Sequence, residues 1–119
     1  VLCVQQEAAD RIVEMLEGAM AQLRIGEPRA LSTDVGPVID GESRDRLEQH
    51  VQTMRARGHR VHCAIDAAQL PAHGTFVSPT LIEIDRLDAL RHEVFGPVLH
   101  LLRFRRTELD ALLEQINTT

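Results

Sequence analysis

Arg91-His92-Glu93-Val94-Phe95-Gly96-Pro97-Val98-Leu99-His100-Leu101-Leu102-Arg103-Phe104 decides how this chain is read. Its second half, Val98 to Phe104, reads as one continuous apolar strand, the pattern of a strand covered on both faces. Its first half sets a carboxylate, Glu93, two residues from an aromatic able to stand exposed, Phe95. The Gly96-Pro97 break behind them stops ordinary strand pairing.

Working outward, Val1 to Gln5 is apolar and β-branched enough for a short strand. Ala9, Ile12, Val13, Leu16, Ala19, Met20 and Leu23 recur at helical spacing, which predicts a helix over 7–24 ended by Gly26 and Pro28. Residues 29–39 read as a loop. Asp40 is placed to cap a second helix reaching about Arg57, with Leu47, Val51 and Met54 on one face and Gly58 as its stop. His59 to Ile65 favours a strand, 67–74 a loop, and Thr75 to Ile84 an extended segment interrupted by Pro79. Leu87 to His92 allows one helical turn. Thr107, with Asp110 three residues on, is expected to open a last helix carrying Leu109, Leu112, Leu113 and Ile116. The order is α/β, with a central sheet and helices on both faces.

Composition narrows the function. The 119 residues suit a single modest core, and 44% apolar with 26% charged content is that of a globular chain. The net charge of −5, with neither Trp nor Tyr, excludes an electrostatic footprint or a stacking platform for nucleic acid. No apolar run approaches the ~20 residues of a membrane helix, and the start carries no signal-peptide pattern. Cys3 and Cys63 both lie in apolar stretches, which favours two reduced thiols in a cytoplasmic setting over a disulfide. Neither end reads as a natural terminus, so the chain is expected to be a segment of something larger.

Complete reactive constellations are missing. The seven glycines show no phosphate-loop spacing, and no serine sits in a nucleophile elbow. His59, His62 and Cys63 look like metal ligands, but neighbours on a strand point to opposite faces, so no metal site is expected. Cys3, flanked by Leu2 and Val4, reads as an inert core thiol. Arg103, Arg105 and Arg106 form either a solvated strand end or ion-pair partners for the acidic helices. Glu93 and Phe95 remain. They are either a turn with an exposed acid and a buried phenyl, or a grip for a ribose diol and a flat ring. A carboxylate can accept from both vicinal hydroxyls, and such charge-assisted bonds are the stronger kind. Gly96 would allow backbone to approach the ligand closely, and Pro97 removes an N–H that the approach would strand.

Glu93-Val94-Phe95-Gly96-Pro97-Val98 resembles the E-x-F-G-P signature of the aldehyde dehydrogenase superfamily. Gly36-Pro37-Val38-Ile39 resembles that family's G-P-hydrophobic segment, and Gly74 to Leu81 its aromatic-x-x-P-T strand. Asn117-Thr118-Thr119 is similar to the asparagine turn that follows. Within the superfamily, His92 to Phe104 and Leu113 to Thr119 look closest to the glutamate semialdehyde (Δ1-pyrroline-5-carboxylate) dehydrogenase module of bacterial bifunctional proline-utilisation flavoproteins.

The resemblance implies residues 1–119 of a catalytic domain that oxidises an aldehyde to a carboxylate with NAD, through a thiohemiacetal and a thioester on a cysteine. Glu93 would bind the nicotinamide ribose hydroxyls and Phe95 would pack near the nicotinamide. It also implies that the nucleophilic cysteine, the general base and the nucleotide-binding domain lie in the remainder of the polypeptide. This segment alone would then be inactive. Any FAD would belong to a separate domain, and the parent would be a homo-oligomer. Two other readings stay open: a free-standing α/β module that presents the 93–97 loop to a partner, and a structural domain without a ligand.

Overall fold

The computed structural model describes residues 1–118. Four strands, β1 (Leu2–Gln5), β2 (Arg60–Cys63), β3 (Thr80–Ile84) and β4 (Val98–Phe104), form one sheet in the order β1-β4-β3-β2. β4 runs parallel to both β1 and β3, while β2 pairs with β3 antiparallel. The helices are α1 (Gln6–Met20), α2 (Gly41–Ala56) and α3 (Leu109–Asn117).

Alternation along β4 builds two cores. Leu101 points to one face and packs with Leu81, Val4 and the Ala9 and Val13 side chains of α1. Leu102 points to the other and packs with Ile82, Ile84, Val51 and Met54 of α2, and Leu112 of α3. The expected α/β sheet covered on both faces is therefore present, and the uninterrupted apolar run has its cause in that double coverage.

Local signals account for much of the framework. The Asp40 carboxylate accepts the Ser43 N–H at 2.7 Å, capping α2. Gly58, at φ +88°, turns the chain out of that helix. The Gly36–Ile39 and Gly74–Leu81 segments, far apart in sequence, are stitched together: Val38 N–H donates to the Thr75 carbonyl at 2.8 Å, and the Thr75 hydroxyl to the Val38 carbonyl. Gly74, at φ +107°, lies so close to the Phe76 ring that a Cβ would come within 2.8 Å of it. Pro79 marks the strand boundary, and pairing starts at Thr80.

Some boundaries differ from the sequence expectation. The periodicity predicts a first helix through residue 24, yet α1 ends at Met20. The Arg24 N–H donates to the Asp34 carboxylate at 2.9 Å, and the Arg24 carbonyl accepts from Asp34 and Val35. This closure of the loop draws Arg24 off the helical path, so Gly26 and Pro28 lie inside the loop. Thr107 does not cap the last helix. It sits in a 3-10 turn, and the Glu108 carboxylate reaches back to the Arg105 N–H at 3.0 Å instead. Of the four apolar positions of α3, only Leu112 is buried, because this nine-residue helix meets the sheet through one position. Asn117 closes α3 and Thr118 follows as its C-cap; Thr119 of the expected turn lies outside the described residues.

Cys3 and Cys63 stand on the two edge strands, with two strands between them, and both are free thiols. At about 4.8 Å per strand, that separation forbids a disulfide. Arg103 is an ion-pair partner rather than a solvated strand end. It binds Glu83 at 2.8 Å and Asp10 of α1 at 2.5 Å, and Arg60 joins Glu83 at 2.6 Å to Glu17 of α1 at 2.7 Å. Burial pushes the Glu83 carboxyl up, but hydrogen bonds from Arg103 and Arg60 outweigh it and hold the group below the usual glutamate range.

Leu101, fully buried, and Leu31, fully exposed, make a matched test of this packing. Leu101→Ala is expected to lower stability by about 2–5 kcal/mol, and Leu31→Ala by less than about 0.5 kcal/mol. Urea unfolding of the chain measures both.

Candidate functional site

The loop His92–Phe95 and the first half of α2 face each other across a cleft of about 390 Å³. Ser43, Arg46, Leu47 and His50 form the α2 wall; His92, Glu93, Val94 and Phe95 form the other. The α2 residues follow i, i+3, i+4, i+7 spacing, so one helix face supplies that whole wall. A second, contiguous cavity of about 290 Å³ adds Arg57 and Arg91 to Arg46, His50 and His92, and its lining contains no acidic side chain.

Glu93 and Phe95, the residues singled out in the sequence, are brought to the same rim. Glu93 is exposed, with no hydrogen bond or ion pair among the described residues. Phe95 is 88% exposed. The bland expectation of a buried phenyl therefore fails. Gly96 makes a close approach within the fold. The backbone it brings close is to Leu47: a Cβ there would lie 2.5 Å from Leu47 Cδ1, at a φ of +156°. Pro97 lies within a tight turn closed by Val98 N–H to the Gly96 carbonyl at 2.8 Å, and its own carbonyl accepts from Thr80 at 2.9 Å. Loop and sheet are thus locked together directly behind Phe95.

Four residues of the site escaped the sequence reading. Ser43 and Arg46 lie about fifty positions before Glu93, on a helix face that reads as solvated. Arg46 is held toward the helix start by Glu42 at 3.4 Å and by the Ser43 hydroxyl at 3.2 Å. His50 and His100 form a ring pair, Nε2 to Nε2 at 2.9 Å, with centroids 5.1 Å apart and planes at 75°. His100 is 5% exposed, inside the run read as continuously apolar. One ring must donate its Nε2–H while the other accepts on a bare Nε2, so the accepting ring is neutral. Burial, then the neighbouring His50, pushes the His100 pKa down to about 4. Burial, then Arg57, pushes His50 down as well.

The remaining sequence candidates disperse. His62 lies 3.8 Å from Glu17 on the α1 side of the sheet. The Cys63 sulfur faces the Thr80 hydroxyl at 3.7 Å and Arg55 at 3.9 Å on the other. Among the described residues, no group of three or more His, Cys, Asp or Glu is placed to hold a metal ion. Among the described residues, no helix is long and apolar enough to cross a membrane.

Comparison with known proteins finds the same fold. The aldehyde dehydrogenase family model matches residues 1–119, and the chain belongs to that family. It is 53% identical over its whole length to the bifunctional protein PutA of Klebsiella aerogenes, and 51% identical to that of Escherichia coli, spanning 9% of each. A crystal structure of a bifunctional proline utilization A protein superimposes with a TM-score of 0.88 at 42% identity, over 99% of this chain and 12% of that one.

The histidine pair sets a pH dependence. An unfolded His100 takes its proton near the ordinary value of 6.5, and the folded one only near 4. Between those values the unfolded chain binds more protons, so acid favours unfolding. The contribution of His100 is complete above pH 6.5 and is lost as pH falls toward 4, up to on the order of 3 kcal/mol. Thermal midpoints of the chain should therefore fall from pH 7 to 4.5, and His100→Gln should flatten that slope.

Proposed function

We propose that this chain is a segment of an NAD-dependent aldehyde dehydrogenase catalytic domain, and that its cleft holds the nicotinamide-ribose end of the cofactor. The observation that carries the proposal is the rim itself: an unpaired carboxylate and an exposed phenyl side by side, facing a hydroxyl and a guanidinium on α2. The donor set fits the ligand. Glu93 can accept from two vicinal ribose hydroxyls, Phe95 offers an apolar face to a flat ring, and Arg46 can meet a phosphate oxygen. The acid-free basic lining behind the loop suits the anionic part of a dinucleotide.

When bound, the cofactor supplies the hydride acceptor. The residues of this chain orient and exclude: Glu93 fixes the ribose, Phe95 limits the tilt of the ring and keeps water from one side of it, and Gly96 on Leu47 keeps both in place. Orientation of this kind is where a positioning site contributes to rate. The thiol that attacks the aldehyde is assigned to polypeptide outside these residues. Cys3 packs against the core, and neither Cys3 nor Cys63 borders the cleft. The aldehyde is proposed to be glutamate γ-semialdehyde, on the identity to the PutA proteins. Any flavin would then sit in another domain of the parent.

In the complete enzyme, Glu93→Ala is expected to lower kcat/KM for NAD by about 10- to 100-fold, the loss of one or two charge-assisted hydrogen bonds. Phe95→Ala is expected to lower kcat more than it raises KM. Unchanged steady-state kinetics in both variants would remove this loop from the site.

The isolated chain is expected to oxidise no aldehyde with NAD, monitored as NADH absorbance. Turnover that disappears in a Cys3→Ser variant would refute the assignment of the nucleophile to other polypeptide.

A further inference from the structure

The two walls of the cleft come from segments about fifty residues apart, and something must set the gap between them. α2 rests mainly over β2 and β3, whereas the Glu93–Phe95 loop runs straight into β4. Gly96 against Leu47, and Leu102 against Val51 and Met54, give apolar contacts between the two sides. Among the hydrogen bonds of the described residues, only the His50–His100 bond joins α2 to β4.

A histidine is an odd choice for this place in β4. The neighbouring inward positions, Val98 and Leu102, are aliphatic, and a leucine at position 100 would bury the same surface without needing a partner. Burial makes the charged ring costly, so the position is useful only with a complementary acceptor or donor opposite it. Packing of Val51 and Met54 holds α2 on the sheet, and the hydrogen bond between the two rings adds a directional constraint on the helix. His50 also borders both the Glu93 cleft and the cavity behind it, so its ring plane is part of the cleft wall.

We infer that the His50–His100 pair is a positioning unit: by tying α2 to β4 it sets the distance from Ser43 and Arg46 to Glu93 and Phe95, and so tunes affinity for the nicotinamide-ribose moiety. This inference rests on the reading of the cleft as the cofactor site. Neither histidine touches the reacting atoms in this account; both act through the walls they hold.

The test uses the complete enzyme, with NAD affinity read by isothermal titration calorimetry and with kcat, KM and thermal midpoint measured for each variant. His100→Leu keeps the volume and removes the bond; it is expected to raise the Kd for NAD about 3- to 10-fold, with kcat at saturating NAD within about two-fold. His100→Gln, whose side-chain amide can still bond His50, is expected to restore the Kd while leaving the thermal midpoint lowered or unchanged. His50→Leu, made from the partly exposed side of the pair, should reproduce the loss should His100→Leu fail to fold. A normal Kd in the leucine variants, with Glu93→Ala still weakening NAD, would overturn the positioning role and leave the cleft assignment standing. A normal Kd in all of them would overturn both. A loss that tracks the thermal midpoint and is not rescued by glutamine would reduce the pair to a fold-stability element and also overturn the inference.

Discussion

Everything in this molecule hangs on β4 being held from both sides. Its pairing with β3 spans Val98–Leu102 and its pairing with β1 spans Leu101–Phe104. The two ladders are offset, so the first three residues of β4 are tied to β3 alone. That offset leaves the head of the central strand open on one side, and the Glu93–Pro97 loop emerges there. Because successive residues of β4 serve opposite cores, a shift of one position would carry His100 and Arg103 to the wrong faces, away from their partners on α2 and α1. The loop is therefore delivered to its place by the most constrained strand in the sheet.

The cleft lies at the N-terminal ends of the parallel strands, the opposite end from where open α/β sheets usually take ligands. The C-terminal end is already occupied by charge. Arg60 and Arg103 converge there on Glu83 and reach across to Glu17 and Asp10 of α1, so the cationic groups are neutralised by acids of the same fold. At the N-terminal end Glu93 has no partner among the described residues, and the adjoining acid-free cavity runs along α2 from Arg46 to Arg57. A carboxylate without a partner among the described residues at one end, and a closed ion network at the other, support the proposed placement of recognition on the loop side.

Legibility in the sequence followed the range of the interactions. Asp40 and Gly58 announced the ends of α2 because capping is decided within three residues. Val98 to Phe104 announced a strand because both faces of it are buried. The end of α1 was illegible, since Leu23 continues the helical spacing and only the return of Asp34 to Arg24, ten residues on, breaks it. Glu93 and Phe95 stood out because their types, spacing and Gly-Pro context are local. Ser43 and Arg46 did not, because a polar face on a helix looks the same whether it meets water or a ligand. His100 was hidden by its neighbours: in an apolar run a single histidine is easily taken as noise, and its partner on α2 lies fifty residues away. The approach of Gly96 to Leu47 joins segments about fifty residues apart, and no local pattern could name it.

Exposure of Phe95 is built into the backbone rather than left to chance. Burying a phenyl contributes about 1.5–3 kcal/mol, so a free loop would tend to fold the ring inward. Three constraints prevent that here. Gly96 is pressed onto Leu47 at a φ that other residues rarely adopt, Pro97 is fixed in a turn, and the Pro97 carbonyl is held by Thr80. With the residues behind it locked, Phe95 has no path to the core without detaching the head of β4. The stability forgone at Phe95 is offset by the two cores on either side of that strand. Under the proposed reading, that exposed ring is the face offered to the cofactor.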